Sequence, residues 1–124
     1  MDIFERNREE KRRWMEEHNK AERAELKNEF KFVGKIMMPN LQKLKENNKI
    51  NNVDLKANIE QLERDKKVAL EELTKMGLDD KIINKVSHHV GTALSRIMLD
   101  SMTLGEGKIN DGLIRDLEEI INPE

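Results

Sequence analysis

The sequence predicts an all-α protein: a small helical bundle built on a long antiparallel helical hairpin, with a long charged N-terminal helix that projects from it or pairs in a dimer. Three observations lead there. Of 124 residues, 39% are charged and only 3% aromatic, with no tyrosine, a mixture poor in strand formers and rich in good helix formers. The chain holds only six Gly and two Pro, so long stretches run without a breaker. From Leu26 onward apolar residues recur at spacings of three and four, as they do when one face of a helix turns to a core. At this length one domain with an extension is expected: residues 1–25 as a charged helical arm and residues 26–124 as the bundle.

The arm, "FERNREEKRRWMEEHNKAERAELKNEFK", is charged almost all the way round. Glu9 with Arg13 and Glu16 with Lys20 stand at i,i+4 in the favourable order, each pair adding about 0.3 kcal/mol to an isolated helix. Ile3, Trp14 and Ala21 lie near one line, but Asn7, Glu10 and His18 interrupt it. Such a helix has little to offer a core and is expected to stand away from the body or meet another chain.

Leu26, Phe30, Val33, Met37, Leu41 and Leu44 follow at spacings of 4, 3, 4, 4 and 3 and make the first buried stripe. Pro39 falls inside it and predicts a kink or break at Met38, because proline lacks a backbone donor and disfavours helical geometry in the residue before it. "NNKINN" makes the next connection. Leu55, Ile59, Leu62, Lys66, Ala69, Leu73 and Met76 then form a coiled-coil-like seam with one polar position, Lys66. Asn52 is the expected N-cap and Gly77 the expected left-handed residue at the end. A second long helix is expected from Asp79 to Thr103, a break near Gly105, and a last helix capped by Asn110 or Asp111, with Leu113, Leu117, Ile120 and Ile121 facing the bundle.

Charge and motif content narrow the function. Residues 5–31 hold nine basic and eight acidic side chains and residues 99–124 two and seven, so no uniformly basic nucleic-acid face stands out. The absence of cysteine excludes disulfides and thiol chemistry. No apolar run is long enough to span a bilayer, and "MDIFERNREEKRRW" lacks the apolar centre of a signal peptide, so a cytoplasmic protein without membrane contact is expected. Heavy use of Lys, Asn and Ile is the habit of AT-rich genomes, including those of low-GC bacteria and phages. "GEGK" resembles a phosphate loop only superficially, since Ile109 follows where a hydroxyl residue is required. No enzyme, cofactor or metal site is predicted.

The residues that invite a role lie in two places. "KVSHHVGTALSRIM" carries His88 and His89. On a helical wheel they fall opposite Ile82, Ile83, Val86, Val90, Ala93, Leu94 and Ile97, so both are expected on the polar face with Lys81, Lys85, Thr92 and Arg96. Lys81, Lys85, His88, Thr92 and Arg96 follow at spacings of 4, 3, 4 and 4, a column of donors suited to phosphates or a carboxylate-rich surface; its plainer reading is a solvated helix face. Ser87, Gly91 and Ser95 make a stripe of small residues, expected where another helix packs closely. On the arm, Trp14, with Arg12, Arg13 and His18 around it, is the expected anchor for a protein partner. The favoured expectation is thus a small non-enzymatic helical interaction protein (a regulator, inhibitor or assembly factor) that binds a protein partner and forms a homodimer. The alternative is a nucleic-acid or other anion binder using the basic helix face of Lys81, Lys85, His88, His89, Thr92 and Arg96.

Overall fold

The stripe from Leu26 to Leu44 is buried along its whole length, and the other core helices gather around it. In this computed structural model residues 2–50, 55–103 and 108–123 are described. Among them the regular structure is five α-helices: α1 (Ile3–Glu25), α2 (Lys27–Lys49), α3 (Leu55–Lys75), α4 (Asp80–Thr103) and α5 (Asp111–Ile121). The all-α bundle expected from composition and periodicity is what the chain forms. α2 and α4 each pack on α3 and on α5, while α1 meets α2 mainly at their junction. Leu62, Leu73, Val86, Ile97, Leu117 and Ile121 are fully buried with Phe30, Met37 and Leu41, each worth about 1.5–3 kcal/mol of apolar burial.

The ends of the helices follow from local chemistry. The Asp2 carboxylate accepts from the Phe4 N–H at 3.3 Å and starts α1. The Asn110 side chain accepts from Gly112 N–H at 2.8 Å and starts α5, and Asp79 accepts from Lys81 N–H at 3.0 Å ahead of α4. Gly77, after α3, takes φ +82, the conformation expected of it and one that a residue with a Cβ resists. The expected cap at Asn52 and the expected breaks near Asn51 and Gly105 lie outside the described residues.

Three details differ from expectation or were not foreseen. Pro39 does not end a helix: α2 runs continuously from Lys27 to Lys49 with Pro39 inside. Pro39 and Lys35, whose carbonyl loses its partner, are both exposed, so water can satisfy that carbonyl while the buried stripe passes on the other side. Met76, expected at the end of the α3 seam, is exposed because the helix stops one residue before it. Gly34 is the third. A Cβ built there would come within 1.7 Å of the Ile121 carbonyl oxygen, so the last turn of α5 rests directly on the backbone of α2.

Asn48 fixes the other end of α5. Its side chain is buried; its amide donates to the Ile109 carbonyl at 2.8 Å, and its oxygen accepts from the Ile109 N–H at the same distance. Lys45 adds an ion pair to Glu118 at 2.7 Å.

Candidate functional site

α1 has no buried residue, yet its base is tied down. Leu26 carries the distortion between α1 and α2, with φ −101 and ψ 21, while its N–H still donates to Glu22 O and its carbonyl accepts from Phe30 N–H. The arm therefore leaves the body along a nearly continuous helical ladder.

One face of the arm carries Trp14, His18 and Glu22 at successive intervals of four, which stacks them along the helix. The Trp14 ring lies on the His18 imidazole with centroids 5.1 Å apart and planes 8° from parallel. His18 Nε2 is 3.3 Å from Glu22 Oε2. The other carboxylate oxygen, Oε1, is 2.8 Å from Nε2 of His89 on α4. Arg23 Nε donates to Nδ1 of the same ring at 3.5 Å. An accepting Nδ1 leaves the proton on Nε2, so His89 donates to Glu22; this tautomer is assigned from the two partners. The ring meets Phe30 edge-on at 5.7 Å. Burial pushes the Glu22 carboxyl upward, but the hydrogen bond from His89 and the nearby basic groups, Lys85 and His18 among them, outweigh it and hold the group below its ordinary value.

His89 is thus not on the polar face with His88. It is buried, because it stands three residues after Val86 and four before Ala93, both core residues, and so borders the apolar arc rather than opposing it. His88, Lys81, Lys85, Thr92 and Arg96 are exposed. The small-residue stripe does not meet a helix backbone at Gly91. The group nearest to a Cβ there is the ammonium of Lys66, reaching across from α3 to 3.0 Å. Ser87, Gly91 and Ser95, with Lys66, His88, Thr92, Arg96 and Leu99, line an open depression on that face. On the arm, Trp14, Arg12, Arg13 and His18 are all exposed, and Arg12 pairs with Glu16 at 3.9 Å.

Three residues that shape these places were not singled out in the sequence as site residues. Glu22 and Arg23 could have been suspected only through Glu22 standing four residues after His18. Lys66 had a clearer signal, as the one polar residue in an otherwise apolar seam.

A carboxylate shared by two imidazoles fixes the rings and orients the arm. Among the described residues no group of three or more His, Asp or Glu side chains is placed to hold a metal ion, and no helix is long and apolar enough to cross a membrane. Fold and site define a class: a helical bundle with an exposed helical arm latched at its base. Comparison with protein families, with curated proteins and with solved structures finds no match to this chain.

Proposed function

We propose that this chain is a small non-enzymatic interaction protein, a regulator, inhibitor or assembly factor of the cytoplasm, whose arm (residues 1–25) binds a protein partner and whose bundle (residues 26–124) is the scaffold. One observation carries the reading: a helix of 23 residues buries none of them yet exposes Ile3, Phe4, Trp14 and Met15 by between 52% and 73%. An exposed aromatic among charges is the usual composition of an interface anchor. The stacking on His18 fixes the Trp14 ring before any partner arrives, which lowers the entropic cost of binding. In the scaffold we take α3 and α4 to be an antiparallel hairpin, supported by the four-residue link between them and by the reach of Lys66 to Gly91. Self-association through the arm is part of the proposal, since the exposed apolar residues would be covered equally by a second copy.

The test uses the full chain as bait in a nuclease-treated lysate of its host. A specific partner should be captured by the wild type and by the Lys85→Glu, Arg96→Glu double variant, and lost with Trp14→Ala. The reverse pattern overturns the proposal.

A further inference from the structure

The depression over Gly91 assembles a feature that the arm does not explain. Lys66 interrupts the apolar seam of α3 and is half-buried. Its ammonium lies 3.0 Å from where a Cβ of Gly91 would be, and its Cε 3.9 Å. A glycine inside a helix is less favourable than alanine, and here the missing Cβ lets the lysine head come close to the backbone of α4. That head points across α4 into a depression lined by His88 and Arg96 and by the hydroxyls of Ser87, Thr92 and Ser95, with no carboxylate in the lining. Among the described residues neither Lys66 nor Arg96 has an ion pair or side-chain hydrogen bond. Two cations from two different helices and an imidazole therefore line a hollow that also carries Ser and Thr residues, and among the described residues no carboxylate lines it.

We infer that this depression is a binding site for a single phosphate-type oxyanion seated beside Gly91, held by Lys66 and Arg96 as charged donors, with the neighbouring Thr92 and Ser95 hydroxyls as further donors. Charge-assisted hydrogen bonds of this kind are the stronger ones, and a lysine brought over a glycine face places its charge close to whatever sits there. The rest of the basic column does not extend the site into a track for a nucleic-acid strand. Lys85 acts on the Glu22 carboxylate, Lys81 is absent from the lining, and the chain carries a net charge of −2. One phosphate group, free or on a small ester, fits the observations better than a polyanion.

The test is a nuclear magnetic resonance titration of the full chain with inorganic phosphate at constant ionic strength, with chloride as the control anion. Saturable shifts should centre on the amides of Gly91, Thr92 and Ser95. Lys66→Met removes one of the two charged donors and should weaken phosphate about tenfold; Gly91→Ala puts a methyl 3.0 Å from the Lys66 ammonium and pushes it aside, so it should weaken phosphate less than Lys66→Met does. Neither change should unfold the bundle, and Gly91→Ala should hold or raise the melting temperature, which separates loss of the site from loss of the fold. Lys81→Met should leave the affinity unchanged. Arms with adenosine monophosphate and with phosphoserine distinguish a nucleotide from a modified side chain as the source, by which ester binds more tightly than free phosphate. Shifts that do not saturate, that chloride reproduces, or that survive both Gly91→Ala and Lys66→Met overturn the inference. So does binding of a single-stranded oligonucleotide that grows with its length and needs Lys81 and Lys85, which would assign the face to nucleic acid.

Discussion

Nε2 of His89 lies 2.8 Å from Oε1 of Glu22, and this bond joins the base of the exposed arm to a helix of the core. Glu22→Ala removes the acceptor and leaves a buried imidazole N–H unpaired, a loss of about 1–3 kcal/mol. The expected result is a lowered melting temperature with a single transition retained. Amide exchange should speed up around residues 18–25, where the arm is held, and much less in α3. His89→Phe should cost less than Glu22→Ala, because an aromatic ring keeps the Phe30 contact and needs no partner.

The same bond predicts a pH dependence. The Glu22 carboxyl is held below its ordinary value of 4.5 in the folded protein, so its charged form favours the folded state. That contribution is complete above 4.5 and is lost as pH falls through the lowered folded value. Acid titration followed by amide exchange at the arm base should show loosening below about pH 4.5. In Glu22→Gln this component should be absent.

Gly34 and Gly91 look alike in the sequence, each a lone glycine inside an amphipathic helix, but their substitutions should have opposite signs. At Gly34 the obstacle to a Cβ is the Ile121 backbone carbonyl, so α5 must move; Gly34→Ala should cost at least the 1–3 kcal/mol or so typical of overpacking. At Gly91 the obstacle is the end of a flexible lysine, which can swing away. Gly91→Ala should be neutral or stabilising by up to about 1 kcal/mol. Thermal unfolding of the two variants side by side checks the contrast.

Asn48 makes a third stability prediction. Asn48→Leu leaves the N–H and carbonyl of Ile109 without their side-chain partner, at about 1–3 kcal/mol for each group that stays dry. α5 should undock first, visible as fast exchange at Ile114 and Leu117 while α3 stays protected.

These residues mark how far the sequence could be read. Periodicity located the buried face of α2 and α3 because each burial position repeats every three or four residues, and caps such as Gly77 and Asn110 act through chain neighbours. His89 departs from the polar face expected of it because it sits at the border of an apolar arc, where the side is decided by what approaches from elsewhere: here Glu22 and Arg23, both more than sixty residues away in the chain. Gly34, four residues after Phe30, and Asn48, four after Leu44, lie in register with the buried stripe, but neither residue type announces a role there, since their roles are set by Ile121 and Ile109 in a helix and loop that return from the far end of the chain. At Pro39 the expected break is absent for the opposite reason: a local rule is offset by the exposure of the carbonyl that it frees.

The last prediction concerns removal of the arm. α1 extends about 35 Å at the helical rise and buries none of its residues, so the chain without residues 1–25 should keep a cooperative thermal transition. Because Glu22 and Arg23 leave with it, His89 loses both hydrogen-bonding partners; Leu26 and Phe30, the first core residues, remain. The deletion should therefore cost about what Glu22→Ala costs, in the range of about 1–3 kcal/mol, and a much larger loss would mean that the arm is part of the folding unit. Light scattering on the same pair of proteins reads self-association. A dimer mass for the full chain and a monomer mass for the deletion are expected if a second copy covers Trp14. A monomer mass for both removes the homodimer from the proposal and leaves the arm to a different protein.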